Sequence, residues 1–195
     1  LGDVYKRQTE TKIVNLCSAE QDGLYALNSL ADEAGANKIN KNLLQTPISD
    51  VPESGNLDAS NLGLLIANLM PENSIVSDEA ATSSFLVTPQ ALKAKPHDWL
   101  CLTGGSIGQG LPLAVGAAIA KPDRPVITLH GDGGAMYTVQ ALWTQARENL
   151  NITNIIFANH SYEILKIELS RVGAVKTGQR ADSMFSLDNP KLDWI

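Results

Sequence analysis

The sequence predicts an α/β fold, a parallel sheet with helices on both faces. Three observations carry that prediction. Val126-Ile127-Thr128-Leu129 is an uncharged, largely β-branched run closed by Gly131, the pattern of a central parallel strand. Val139, Leu142, Trp143, Ala146 and Leu150 then recur on one helical stripe, and Ile152 to Ala158 is a second apolar strand. Strands joined by so long a crossover pair in parallel, and a parallel sheet is covered on both faces.

The composition agrees. Of 195 residues, 44% are apolar, enough to bury a core, so wholesale disorder is excluded. The length suits one domain, or one domain and a piece of another. Fifteen Lys and Arg face 21 Asp and Glu, leaving a formal charge of −6. That balance argues against a nucleic-acid or anionic-membrane partner. Cys17 and Cys101 cannot make a disulfide framework, and a reducing cytoplasm is the expected compartment. No run of about 18 apolar residues is present, so no membrane span is expected.

Asp3 to Gln8 can be back-translated in frame as GAT-GTG-TAT-AAG-AGA-CAG, which resembles the mosaic-end adapter of transposon-made sequencing libraries. Residues 1–8 are therefore expected to be a cloning scar, and are left out of the fold reading. Leu192 to Ile195 read as the start of an apolar helix, so the chain is expected to be an internal fragment of a longer protein.

Residues 11–16 are a short strand candidate. Leu24, Leu27, Ala31 and Ala34 give residues 20–34 one apolar helical face, with Gly35 as the stop. Prolines 47 and 52, with Ser49, Ser54, Gly55 and Asn56, make residues 40–57 a linker. Leu62, Leu65, Ile66 and Leu69 mark a helix capped by Asp58 or Ser60 and closed before Pro71. Ile75-Val76-Ser77 reads as a strand, and Trp99 to Leu102 as a second strand or extended segment. Residues 108–120 are small and apolar all round, which predicts a helix buried on most sides, with Pro112 in its first turn. Trp143 reads as core, and a last helix starts near Tyr162, with Lys166, Glu168 and Arg171 on a solvated face.

The chemistry is concentrated at two strand ends. Gly131-Asp132-Gly133-Gly134 follows one strand and Asn159-His160-Ser161 the next. Ligands of open α/β sheets bind outside those ends. The glycines let backbone approach an anion, and the helix opening near Ala135 offers its first amides. A carboxylate and an amide oxygen are hard ligands suited to Mg²⁺, which completes its shell with phosphate and water. Asp132 and Asn159, on adjacent strands, can share one such ion. Taken alone, Gly-Asp-Gly is more often a turn after a buried strand. It is not a Walker loop, because no Gly-Lys-Ser/Thr follows, and Gly108-x-Gly110 lacks the rest of a dinucleotide fingerprint. His130 reads as structural, His160 as an exposed loop residue, and His97 is uninformative.

Gly131-Asp132-Gly133, then residues 134–157, then Ala158-Asn159 resembles the cofactor signature of thiamine-diphosphate-dependent enzymes. Leu102 to Gly116 (LTGGSIGQGLPLAVG) resembles the glycine-rich segment that precedes it in acetolactate synthases, benzoylformate decarboxylases and pyruvate decarboxylases. Gly131 to Tyr162 is most similar to the acetolactate synthase large-subunit and benzoylformate decarboxylase group. The fold implied is a truncated thiamine-diphosphate-binding fold. The domains implied are the end of a central domain over 9–40, a linker over 41–57, and a cofactor domain over 58–195 cut short at its C-terminus.

The resemblance implies that Asp132 and Asn159 bind Mg²⁺ by side-chain oxygens and Ser161 by its carbonyl. Gly133 and Gly134 would donate amides to the diphosphate, with Gly131 and Tyr162 also in the cofactor-binding set. Asp78 to Ser83 matches a segment whose hydroxyls hold the diphosphate, here Thr82 or Ser83. Ile107 matches the residue that wedges the cofactor into a V, and the Gly105 carbonyl matches the acceptor for its 4′-amino group. Ala158 departs from the family's paired asparagines, but the second of the pair is the ligand. The activity implied is decarboxylation of a 2-oxo acid, with the aldehyde released or transferred to a second carbonyl. A flavin (FAD) is possible in the parent's central domain. A glutamate that activates the pyrimidine would lie in a further domain, usually of a partner subunit. The fragment alone is thus expected to be inactive and its parent a homodimer or homotetramer. A non-catalytic cofactor-binding homologue is the alternative, and intact Asp132, Asn159 and Ile107 count against it.

Overall fold

The computed structural model describes residues 14–36, 54–174 and 178–195. The chain divides into two compact units, residues 1–46 and 47–195. In the first, helix α1 (Gly23–Glu33) starts where the Asp22 carboxylate accepts the N–H groups of Leu24 and Tyr25, and Ala34 caps its end. Gly35 follows at φ +70°, a left-handed conformation that glycine adopts without a Cβ penalty. The apolar face of α1 stays exposed at Leu24 and Leu27. Of the strand expected over 11–16, residues 14–16 are not a strand, and residues 11–13 lie outside the described residues. Most of the expected linker does too.

The second unit holds helix α2 (Ala59–Leu69), strand β1 (Ile75–Glu79), a 3₁₀ turn (Ala81–Ser83) and helix α3 (Ser84–Ala91). Strand β2 (Asp98–Cys101), a second 3₁₀ turn (Thr103–Gly105), helix α4 (Gly110–Ala120) and strand β3 (Val126–Gly131) follow. Then come the one-turn helix α5 (Asp132–Ala135), α6 (Gln140–Arg147), β4 (Ile152–Phe157), α7 (Glu163–Arg171) and α8 (Gln179–Met184). The four strands form one parallel sheet in the order β2-β1-β3-β4. From β1 the chain goes outward to β2, then crosses back through α4 to β3. The order therefore reverses between β1 and β3, and a crevice opens there, outside the carboxyl ends of the strands.

Alternation along the strands makes two cores. Val76, Ile127 and Leu129 face α2 and α3, packing on Ile66, Met70, Val87 and Ala91. Ile75 and Val126 face α4, packing on Ala114 and Ala118. Leu111, Ala135 and Ala141 extend this second layer towards Trp194. A fully buried Leu such as Leu111 or Leu129 contributes about 1.5–3 kcal/mol. Helices thus cover both faces, as the sequence predicts.

Details differ. Asp58, not Ser60, caps α2, accepting the Asn61 N–H at 2.8 Å. Leu69 is 74% exposed, because the backbone turns out of the helix at the C-cap and buries Met70 instead. Helix α4 is buried only along Gly110, Leu111, Ala114 and Ala118, since the sheet covers one side of it. Helix α6 turns Ala141 and Gln145 inward rather than Trp143. Gln145 is drawn in because its Oε1 accepts from Asn154 Nδ2 at 2.7 Å, and Asn154 Oδ1 accepts from Thr128 Oγ1 at 2.7 Å. Trp143 is accordingly 64% exposed, with the Arg147 guanidinium 4.7 Å from its ring centroid. Residues 192–195 are not helical. Lys166 and Arg171 lie on a solvated face, paired with Glu163 and Glu168.

Candidate functional site

A cavity of about 50 Å³ lies at the carboxyl ends of β1, β3 and β4. Its walls are Ala80 to Ser83, Gly131 to Gly134, Phe157, Asn159 and Ser161 to Ile164. This is the crevice that the strand order predicts. It gathers Asp132, Asn159, Ser161, Gly131, Gly133, Gly134, Thr82, Ser83 and Tyr162. Gly105 and Ile107 do not line it; Ile107 is half exposed on the loop before α4.

Asp132 is placed by β3, whose residues Val126 to His130 are all buried. The side chain of Asp132 is itself buried, at 2% exposure. Its Oδ1 accepts the Gly133 N–H at 2.9 Å, and its Oδ2 the His160 N–H at 2.8 Å. These bonds offset the cost of burying a charge. Asn159 closes an Asx turn, its Oδ1 accepting the Ser161 N–H at 3.0 Å. The loop is braced from outside: Leu187 N–H donates to His160 O at 2.8 Å, and Tyr162 N–H to Phe185 O at 2.9 Å. His160 is therefore not an exposed loop residue but half buried, with φ +55°.

On the opposite wall, Asp78 organises the turn after β1. Its Oδ1 accepts the Ala80 N–H at 3.0 Å and the Ser84 hydroxyl at 2.7 Å. That leaves Thr82 and Ser83 on the cavity. Ala81 sits at φ +52°. Two non-glycine residues in the left-handed region thus flank one cavity, Ala81 on one side and His160 on the other. Such conformations cost of order 1–3 kcal/mol and gather at binding sites.

Among the described residues, the charged side chains lining the cavity are Asp132 and Glu163, both acidic, and no Lys or Arg lines it. Among the described residues, no three His, Cys, Asp or Glu side chains gather as a metal centre. A cation here would be held by mixed oxygen donors, the carboxylate of Asp132, the amide of Asn159 and backbone carbonyl, a set that suits Mg²⁺. Two of the glycines are sterically confined. A Cβ on Gly133 would come within 2.7 Å of the Tyr162 ring, and one on Gly134 within 3.0 Å of Glu79 Oε1.

Glu79 is the residue that sequence reasoning missed. It lies on the α4 face of β1 and is 4% exposed. Its Oε1 accepts the Gly108 N–H at 2.5 Å and its Oε2 the Gly110 N–H at 2.6 Å. His130 Nε2 lies 3.0 Å from Oε2, near enough for an ion pair though out of line for a hydrogen bond. Burial pushes the Glu79 carboxyl up, but His130 and the two glycine amides outweigh it and hold it below its ordinary value. The available signal was periodicity: Glu79 shares the Ile75 and Ser77 face of a buried strand, where a charge needs a partner. His130 is fully buried against Glu79 and does not line the cavity.

Residues 82–193 match the family model described as thiamine pyrophosphate enzyme, C-terminal TPP binding domain. The chain is 44% identical over 176 residues to "Putative acetolactate synthase large subunit IlvX" of Mycobacterium tuberculosis, covering 87% of this chain and 33% of that protein. It is 32% identical over 123 residues to a benzoylformate decarboxylase of Pseudomonas aeruginosa, covering 63% of this chain and 23% of that one. Among solved structures, the thiamine diphosphate-dependent 4-hydroxybenzoylformate decarboxylase of Rhodococcus jostii RHA1 superposes with a TM-score of 0.58 at 27% identity. That superposition covers 73% of this chain and 27% of that one. The chain thus spans about a third or less of the length of these relatives.

Proposed function

This chain belongs to the thiamine pyrophosphate enzymes, whose C-terminal TPP-binding domain it carries, and on that footing we propose that it is the cofactor-holding part of a thiamine-diphosphate- and Mg²⁺-dependent enzyme acting on 2-oxo acids. One observation carries the reading. The cavity at the strand-order reversal collects Asp132, Asn159, Ser161, Thr82 and Ser83, and no cationic side chain among the described residues stands in its wall. A diphosphate beside Asp132 and Glu163 would be repelled unless a divalent cation stood between them.

In this reading Asp132, Asn159 Oδ1 and the Ser161 carbonyl hold Mg²⁺. The amides of Gly133 and Gly134 and the hydroxyl of Thr82 or Ser83 hold the diphosphate, with Gly131 and Tyr162 completing the wall. A space of about 50 Å³ takes an ion and phosphate oxygens rather than two aromatic rings. The ring portion therefore falls to the loop of Gly105 and Ile107, outside the cavity. Thiamine diphosphate, when bound, supplies a carbon nucleophile and an electron sink that let a 2-oxo acid lose carbon dioxide. The product leaves as an aldehyde or is joined to a second carbonyl, as in decarboxylases and acetolactate synthases respectively.

We read residues 9–40 as the end of a central domain, 41–57 as a linker and 58–195 as the cofactor domain of a longer protein. Its pyrimidine-activating glutamate belongs to a domain outside this chain, so the chain alone is inactive and the parent works as a homodimer or homotetramer. FAD in the central domain would accompany an acetolactate synthase-like parent. Free Cys17 and Cys101 fit a reducing cytoplasm, and no helix among the described residues is long and apolar enough to cross a membrane.

The test is to recover the full reading frame and assay its product with thiamine diphosphate, Mg²⁺ and either pyruvate or benzoylformate. Carbon dioxide release from one of them supports the reading. Cofactor binding without turnover of either, in a protein lacking the glutamate, supports a non-catalytic homologue instead.

A further inference from the structure

The loop from Thr103 to Gln109 carries Gly105 and Ile107, yet little packs on it: Thr103 to Ile107 are all exposed. Its fixed points lie at its end. Glu79, from β1, accepts the N–H groups of Gly108 and Gly110. Thr138, from the segment after α5, donates its hydroxyl to Gly108 O at 2.7 Å. Gly108 is thereby tied through both its donor and its acceptor, to two different elements. The fit is close. A Cβ on Gly108 would lie 2.8 Å from Tyr137 Cβ, and one on Gly110 would lie 2.8 Å from His130 Cδ2. On its other side, Glu79 Oε1 lies 3.0 Å from where a Cβ on Gly134 would stand. One buried carboxylate therefore holds the end of the loop that carries Ile107 and lies against Gly134.

We propose that Glu79 is a positioning residue: it sets the spacing between the Gly105–Ile107 loop and the Gly133–Gly134 segment, and so governs how tightly the ring portion of thiamine diphosphate is held, with Thr138 as the second anchor. The proposal rests on the cofactor reading above and adds two residues to it. Neither lines the cavity that would take the diphosphate. The loss of Glu79 loosens the loop without dismantling the oxygen cluster around Asp132. Charge-assisted bonds to backbone amides are strong enough that their loss shows as a large change in affinity.

The test compares two ligands on the full-length protein with Mg²⁺ present, thiamine diphosphate and inorganic pyrophosphate, by titration calorimetry. Glu79→Gln is expected to weaken thiamine diphosphate by at least about tenfold while changing pyrophosphate less than about twofold. Thr138→Val, a near-isosteric change at a half-buried site, is expected to act in the same direction by about threefold. A merely structural role would weaken both ligands together. The proposal is overturned if Glu79→Gln binds both ligands like the wild type or loses both equally, or if Thr138→Val leaves thiamine diphosphate affinity unchanged. A wild-type protein that binds neither ligand contradicts the cofactor reading itself, and this proposal falls with it.

Discussion

The backbone N–H of His160 donates to Asp132 Oδ2 at 2.8 Å, which joins the loops after β3 and β4 through a buried carboxylate. The same carboxylate accepts the Gly133 N–H through its other oxygen. Asp132 is thus a structural clamp as well as a proposed metal ligand. Replacing it touches folding and binding together, and the two effects are separable by experiment.

Asp132→Asn keeps the shape but sets an amide donor against a backbone donor. It is expected to cost about 1–3 kcal/mol of stability, read by chemical denaturation. It is also expected to weaken Mg²⁺-dependent thiamine diphosphate binding by at least about a hundredfold, well beyond what the stability change explains.

Gly133→Ala drives a methyl into the Tyr162 ring, 2.7 Å away. A loss of about 1–3 kcal/mol is expected. In a Tyr162→Ala background the same change should cost clearly less, because the clash partner is gone. Equal costs in the two backgrounds, measured by denaturant unfolding, would remove the steric account of this glycine.

Gly63→Ala tests the α2–α3 contact, far from the site. A Cβ there would lie 3.0 Å from Val87 Cα and 3.1 Å from Val87 O, backbone atoms that cannot swing aside. Alanine favours a helix by about 1 kcal/mol over glycine, so an unhindered site would be stabilised. The expected result is a net destabilisation and a lower thermal midpoint, with cofactor affinity nearly unchanged.

Glu79 sets a pH dependence. Its carboxyl titrates below the ordinary value of 4.5 when folded. A depressed carboxylate stabilises the fold fully above its unfolded pKa, and that contribution is lost as pH falls through the folded value. Between neutral pH and about pH 5 it is constant. Below that, the wild type should lose thermal midpoint more steeply than Glu79→Gln, which has no such proton to take up. Parallel acid limbs would contradict the assignment.

The sheet was legible from β3 and β4, which are short, largely β-branched and free of acidic or basic charge, and from crossovers long enough to demand parallel pairing. Asp132 and Asn159 were legible because they end adjacent strands. The inward stripe of α6 was not, because hydrophobic spacing puts Trp143 inside, whereas the Thr128–Asn154–Gln145 hydrogen bonds turn a glutamine there instead. The bracing of His160 by Leu187 and of Tyr162 by Phe185 joins residues more than twenty positions apart, which no local pattern encodes. Glu79 was hidden for the same reason: its partners Gly108, Gly110 and His130 come from other elements.

The most direct measurement is thiamine diphosphate binding to the protein by calorimetry, with Mg²⁺ and then with EDTA. A cavity lined by Asp132 and Glu163 and, among the described residues, by no cationic side chain predicts binding with the cation and loss of at least about a hundredfold in affinity without it. Equal binding in EDTA, or no binding with Mg²⁺ present, would contradict the account.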